Sequence, residues 1–223
     1  MPSFFGIFFL LIAVGTITWL SRNAILFGTK AALSTEPKDI TISNISDTAF
    51  TVSYVTDGAA LGSINFGTSG KTDQIRLDDR DQTVNQPQPH TVHFITVTKL
   101  TPLTKYTFSI TSGDKVYLNS GAPYVITTGN QLSSAQATNQ TLSGRVTLDD
   151  GTAPAEALVY VSSNNSQLLS MLIKPDGSYK IPLATLRDKT LAAFVNLTQN
   201  DVLKLSLEDS TRKSQVSLLA SQT

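Results

Sequence analysis

Two histidines, His90 and His93, and three aspartates, Asp78, Asp79 and Asp81, are the residues of this chain whose types and spacing come nearest to a reactive site. The histidines stand three apart in His90–Thr98, a stretch whose apolar residues alternate. Strand side chains change face every residue, so the two imidazoles are expected on opposite faces and a shared metal site is not. Neither H-E-x-x-H nor H-x-x-E occurs, which leaves a zinc peptidase unsupported. The aspartates group the oxygen ligands that a hard cation needs. The stretch lacks the glycine and distal glutamate of an EF-hand, and Arg80 offsets its charge, so it reads as a solvated loop. Gly67-Thr-Ser-Gly70 has neither the nucleophile elbow nor the Walker lysine and reads as a turn. Tyr117, Tyr124 and Tyr160 are candidate platforms for a glycan or peptide. Each reads better as packing, although Tyr160, alternating with Val159 and Val161, is expected to face solvent. Asn44, Asn139, Asn164 and Asn196 open N-x-S/T sequons, relevant only in a eukaryotic secretory route. No catalytic, cofactor-binding or metal-binding residue is assigned, and no cofactor is expected.

The elements that would position these residues are strands. The chain has 223 residues, enough for two sandwiches. Its 17 basic and 17 acidic residues balance, so no basic face is available for nucleic acid, and none is expected as a partner. Charged residues make up 15% of a Thr- and Ser-rich chain, which favours strands with hydroxyl-bearing solvent faces. There is no cysteine, so the domains must be stable through packing alone.

Short alternating runs begin at Ile40 and Ile42. Phe50–Val55 follows, with Phe50, Val52 and Tyr54 facing inward. Next come Gly62–Gly67, Ile75–Leu77, His90–Thr98 with Val92 and Phe94 sharing a face, Tyr106–Ile110 and Tyr124–Thr127. Gly113–Gly121 reads as a loop. Between the fifth and sixth runs stands Leu100-Thr-Pro-Leu-Thr-Lys-Tyr106. An apolar residue, a proline and a tyrosine mark the corner where a chain crosses between the sheets of a sandwich, and the buried hydroxyl is expected to bond the upstream backbone. Polar Asn130–Gln140 reads as an interdomain linker allowing some flexibility. Beyond it, Leu142–Leu148, Ala157–Val161, Leu168–Ile173, Tyr179–Ile181, Leu191–Leu197, Val202–Leu207 and Val216–Leu219 are expected strands, with a turn at Pro175-Asp-Gly177.

Ile42–Val55, Gly62–Gly67, Leu100–Tyr106 and Pro123–Thr128 resemble a fibronectin type III domain. The variety is the one that precedes purple acid phosphatases and recurs in bacterial surface proteins. One departure is Tyr54, where that family carries a core tryptophan. Gly144-x-Val146, Gly151-x-x-Pro154, Ala157-x-Val159-x-Val161 and Asp176-Gly-Ser-Tyr179-x-Ile181 resemble the carboxypeptidase regulatory-like, transthyretin-like sandwich. Leu183–Thr190 does not match that family's pattern. The expected fold class is all-β: two tandem immunoglobulin-like β-sandwiches after a single N-terminal transmembrane helix. The divisions are an anchor or signal segment (residues 1–28), a linker (29–37), a fibronectin type III-like sandwich (38–129), a second linker (130–140) and the regulatory-like sandwich (141–223).

Phe4–Leu20 holds seventeen residues without a charge. As a helix it would span roughly 25 Å, slightly short of the hydrocarbon core of about 30 Å. Arg22 can snorkel, and Trp19 stands where an interfacial aromatic sits. A buried core helix, a cleaved signal peptide and an uncleaved anchor are all open to such a segment. No basic residue precedes it and no A-x-A-like site follows, which favours the anchor. Arg22 and Lys30 lean toward a cytoplasmic C-terminal flank by the positive-inside rule, whereas the domain types resembled place that part outside.

The expected function is that of a noncatalytic, membrane-anchored cell-surface protein. It would serve as an extracytoplasmic stalk, adhesion or protein-interaction module with a protein or glycan partner, and an exposed sheet edge could add a partner strand. Two alternatives stand beside it: an accessory subunit of a surface phosphatase or peptidase, and a secreted glycan-binding protein released by signal cleavage.

Overall fold

The computed structural model describes residues 33–84, 86–132 and 140–223. The apolar segment Phe4–Leu20 and the central part of the second linker lie outside them. Among the described residues no helix is long and apolar enough to cross a membrane. Ser34–Thr223 form one compact unit built almost wholly of antiparallel strands.

In its first half, β1 (Lys38–Ser43), β2 (Phe50–Ala60) and β5 (His90–Val97) make a sheet in the order β1-β2-β5. The facing sheet runs β4 (Gln74–Leu77), β3 (Gly62–Thr68) and β6 (Lys105–Ser112). Its far edge is shared by β7 (Lys115–Tyr117) and β8 (Tyr124–Thr127), each on a different stretch of β6. Period-two alternation explains what fills the space between. Phe50, Val52 and Tyr54 of β2 meet Ile64 and Phe66 of β3 and Phe108 and Ile110 of β6 in one buried cluster. Tyr106 closes the end of that core, and its hydroxyl accepts the Thr101 N–H at 3.0 Å, as the corner motif predicts. The Gly113–Gly121 stretch is not all loop, because β7 folds back on β6 around Gly113, which sits at φ 62°.

The second half pairs β9 (Thr141–Arg145) with β12 (Ser178–Pro182). It sets them against a sheet ordered β11-β10-β13-β14, formed by β10 (Leu158–Ser163), β11 (Leu169–Leu172), β13 (Val202–Glu208) and β14 (Lys213–Leu219). Leu142, Val159, Val161, Ile181, Leu203 and Leu205 are among the residues of its core. Gly177 takes φ 81° in the predicted turn, but the turn carries the chain from β11 in one sheet to β12 in the other rather than closing a paired hairpin. Leu191–Leu197 is not a strand. Asp188 Oδ1 accepts bonds from Thr190 Oγ1 and the Ala192 N–H, Leu191 turns through φ 61°, and only an isolated bridge joins Arg187 to Phe194. Local Asp-to-backbone bonds have won over β propensity there.

The two halves touch sheet face to sheet face. Val55 of β2 and Val92 and Phe94 of β5 point away from the first core. They meet Leu158 and Tyr160 of β10, which point away from the second core. The alternation that puts Val92 and Phe94 on one face is as predicted, and the face they share is this seam.

Candidate functional site

The acidic loop and the histidines converge on the free edge of β5, where they act as bonds rather than as a ligand set. An edge strand offers unpaired N–H and C=O groups to solvent or to another chain. Here side chains take nearly all of them. Asp78 Oδ2 accepts the Phe94 N–H at 3.0 Å, Asp79 Oδ1 accepts the Thr96 N–H at 2.7 Å, and Glu156 Oε2 accepts the Thr91 and Val92 N–H groups at 2.9 and 3.1 Å. On the acceptor side, the Asp79 N–H donates to the Phe94 carbonyl, Arg80 Nη2 to that of Val92 and Arg76 Nε to that of Thr96. Asp78 is fully buried and holds Arg80 through Nε at 2.8 Å, so the loop is not solvated as its composition suggests.

Glu156 belongs to the second half and ties it to this edge. Beyond the two backbone bonds, its Oε1 meets Arg80 Nη1 at 2.7 Å and His90 Nδ1 at 2.6 Å. Burial opposes ionisation of Glu156, but the Thr91 N–H, Arg80 and the Val92 N–H outweigh it and hold the carboxyl below its usual range. Asp79 is pushed the other way, since burial exceeds the help from its Thr96 bonds.

His90 and His93 lie closer than strand alternation suggests, their rings edge to face with centroids 6.5 Å apart. His90 opens β5 where pairing with β2 shifts register between Val55 and Ala60, and its ring turns to Glu156 and Asp81. His93 goes inward and stacks on Tyr54 at 4.4 Å. Tyrosine and imidazole together fill this part of the core. The opposing strand can pass over them only as a glycine: a Cβ on Gly62 would lie 2.6 Å from the Tyr54 hydroxyl. Burial lowers the His93 pKa to about 4 and raises that of Tyr54. The Tyr54 hydroxyl and Ser112 Oγ face one another without forming a hydrogen bond of ordinary geometry. Among the described residues no group of three His, Asp or Glu side chains is placed to hold a metal ion.

Among the further ties that cross the seam are those of Asn44 and Arg187, neither announced by a sequence signal for the contact it makes. Asn44, at φ 52°, behaves as one more strand residue on the β11 edge. Its N–H donates to the Leu168 carbonyl at 2.9 Å, its Oδ1 accepts the Ser170 N–H at 2.9 Å, and its Nδ2 donates to the Ser170 carbonyl at 3.0 Å. A glycan on this sequon is incompatible with those contacts. Arg187, almost completely buried, donates to Asp47 Oδ1 and to the Asn130 carbonyl, both at 2.7 Å, with its guanidinium 5.5 Å above the Phe194 ring. The candidate platform tyrosines are packing residues. Tyr124 stacks on Phe108 at 5.0 Å, Tyr117 lies against the first core, and Tyr160 is buried in the seam rather than facing solvent. The Tyr160 hydroxyl bonds Ser53 Oγ at 2.9 Å, and burial pushes its pKa up to about 12.

The other end of the second-half sheet is open. All of β14 except Leu218 is exposed. The Ala220 N–H donates to the Asp201 carbonyl at 2.8 Å, and the Arg212 carbonyl accepts the Asp209 N–H at 2.9 Å. Even-numbered residues of β14 therefore turn their backbone toward β13, and Lys213, Gln215, Ser217 and Leu219 turn theirs outward. The Leu219 N–H is capped by Gln222 Oε1 at 2.8 Å. Among the described residues nothing bonds the outward backbone groups of Lys213, Gln215 and Ser217.

The chain matches no protein-family model and no curated protein. Solved structures overlap it loosely. The FN1-FN3 domains of chicken CNTN1 align at 15% identity and a TM-score of 0.30, over 82% of this chain and 64% of that one. The central fibronectin-III array of RIM-binding protein aligns at 13% and 0.29, over 86% and 65%. A two-domain fibronectin type-III segment of chicken tenascin aligns at 12% and 0.28, over 82% and 97%. The chain thus spans about two thirds of the first two structures, and overlaps this loose establish neither a family nor an activity.

Proposed function

We propose that this protein is a noncatalytic, membrane-anchored interaction module whose β domains stand on the extracytoplasmic side. The first half is read as a fibronectin type III sandwich of the kind preceding purple acid phosphatases, the second as a carboxypeptidase regulatory-like sandwich, and Phe4–Leu20 as the anchor. The observation that carries the reading is how the ionisable side chains are used. Asp78, Asp79, Arg80, His90 and Glu156, the residues nearest to a reactive constellation, are engaged in closing the β5 edge and joining the halves. A hydrolytic site needs a base or nucleophile directed at open space, and these groups are directed at backbone or at one another. What such a scaffold offers a partner is surface: an exposed sheet edge held on a body with a buried seam.

Protease treatment of intact cells expressing the full chain tests the topology. Cleavage of the β region without lysis is expected. Protection of that region, while a known external protein is digested, overturns the outward placement. Purified full chain is also expected to show no phosphatase or peptidase turnover with divalent metal added, and turnover that disappears in His90→Ala would refute the noncatalytic reading.

A further inference from the structure

The open edge of β14 has a shape that fits itself. We propose that a second copy of this chain pairs its β14 antiparallel to the first, joining the two four-stranded sheets into one continuous sheet across a two-fold axis. The proposal names the partner for the interaction module described above and rests on that reading.

The backbone gives the register. Lys213, Gln215 and Ser217 direct their N–H and C=O groups outward with no partner among the described residues, while Leu219 is capped by Gln222. An antiparallel pair alternates bonded and unbonded positions, and each bonded pair exchanges two hydrogen bonds. Centred on Gln215, a two-fold pairing sets Gln215 opposite Gln215 of the second copy and Lys213 opposite Ser217 of the second copy, at both ends. All three open residues are then satisfied, with about six new hydrogen bonds. A register centred on Val216 opposes each Lys213 to the Leu219 whose N–H is already capped, so it satisfies fewer.

The side chains agree. From Ser214 to Leu219 the strand carries no charge, no proline and no bulge, the usual devices that keep edges apart. Its single charge, Lys213, lies opposite a serine in the proposed pair, and the two lysines are separated by about four strand residues, roughly 14 Å. Val216, 52% exposed although it lies on the core-facing side of the sheet with Leu218, comes to rest beside Ser214 of the second copy. The other edges among the described residues do not offer this. β5 is capped, β11 is covered by Asn44, and β1 is bulged between Lys38 and Thr41 with Asp39 at φ 55°. β4, β7, β8, β9 and β12 have five residues or fewer.

The experiment uses the full chain in detergent micelles, where membrane topology plays no part and failure of the outward placement cannot affect the result. The protein-only mass is read by light scattering over a hundredfold range of concentration. A monomer–dimer equilibrium is expected. Gln215→Pro, which deletes an outward donor and leaves the β13 ladder intact, is expected to weaken association at least tenfold with an unchanged far-ultraviolet spectrum. Because the chain has no cysteine, Gln215→Cys gives a second reading that does not depend on a proline being tolerated. Bonded antiparallel residues lie about 5.5 Å apart between Cα atoms, within reach of a disulfide, so mild oxidation is expected to yield a dimer, and Val125→Cys on an exposed face of the first half is not. A monomer at every concentration, a dimer that Gln215→Pro leaves intact, or equal cross-linking of both cysteine variants overturns the proposal. So does cross-linking of Gln215→Cys in whole cells, after introducing a cysteine-reactive probe, to a different protein only.

Discussion

β5 and β14 are the two longest strands that end a sheet among the described residues, and the chain treats their edges in opposite ways. Along β5 every other residue from Val92 to Thr96 has both its N–H and its C=O taken by a side chain or loop amide. Along β14 the corresponding groups of Lys213, Gln215 and Ser217 meet nothing among the described residues. A carboxylate on a backbone N–H and a guanidinium on a carbonyl are charge-assisted bonds, stronger than the ladder bonds they replace. Edge closure at β5 therefore also fixes the edge chemically against a second strand. The difference teaches where ionisable residues in an all-β chain are to be looked for: at the places where backbone would otherwise be left open, as well as at sites of reaction.

The strongest way to break this comparison is to remove Asp78. Its carboxylate is completely buried and serves the Phe94 N–H, the Arg80 N–H and the Arg80 side chain at once. Asp78→Ala leaves the buried Phe94 N–H without its acceptor and the half-buried guanidinium with only Glu156 and the Val92 carbonyl, losses that together cost about 3–5 kcal/mol. The urea midpoint of the full chain is expected to fall accordingly, and a loss below about 1 kcal/mol would mean that the edge is closed by something other than this carboxylate.

His93 gives the next largest effect through pH. Its folded pKa of about 4 lies below the unfolded value of about 6.5. Between those values the unfolded chain binds a proton that the folded chain refuses, so stability is full above about pH 6.5, falls as the pH drops, and levels off below about pH 4. The integrated loss is roughly 3 kcal/mol. His93→Phe keeps an aromatic ring against Tyr54 and is expected to flatten this part of the profile. Denaturant titrations at intervals from pH 7 to pH 4 check it, and an unchanged slope in the variant would place the acid sensitivity elsewhere.

Much of the first half was legible because its signals are local and periodic. Phe50, Val52 and Tyr54 alternate, and the Leu100–Tyr106 corner specifies its own hydrogen bond, which the Thr101 N–H makes. The seam was not legible. Val92 and Phe94 share a face by alternation, but alternation cannot say whether that face meets a core or another sheet, and for the same reason it points Tyr160 to solvent where the structure buries it in the seam. The acidic loop looked solvated because charge is a poor guide to exposure when the partner, Glu156, stands 76 residues from Arg80 in the chain. Leu191–Leu197 has strand composition, yet Asp188 bends it through short-range bonds that propensity does not weigh.

Asn44 sharpens the comparison on a third edge, that of β11, which is neither capped by charge nor open. Asn44→Ala removes the two side-chain bonds to the Ser170 backbone and also places a Cβ-bearing residue with no local hydrogen-bonding group at φ 52°. A cost of about 2–3 kcal/mol is expected. Asn44→Gly loses the same bonds without the left-handed penalty, so it should be about 1 kcal/mol milder. Equal losses in urea midpoint for the two variants would show that the bonds alone matter and that the backbone conformation contributes nothing.

The smallest effect on folding is expected at β14, and it separates edge closure from simple exposure. Ser217→Lys adds a charge to an edge with no partner among the described residues, so the stability of each monomer should change by less than about 0.5 kcal/mol, although two-fold pairing would now bring each new lysine opposite Lys213. Amide hydrogen exchange on this variant compares the two edges directly. Phe94 and Thr96, whose N–H groups point out of a sheet but into carboxylates, should exchange only through opening of the Asp78–Asp81 loop. The amides of Gln215 and of position 217 should exchange at rates near those of unstructured backbone. In the unmodified chain the same two amides are expected to slow as concentration rises, while those of β5 do not change. Equally fast exchange at Phe94 and Gln215 in the monomer would erase the distinction between the edges, because it would mean that the carboxylates lie beside β5 without holding it.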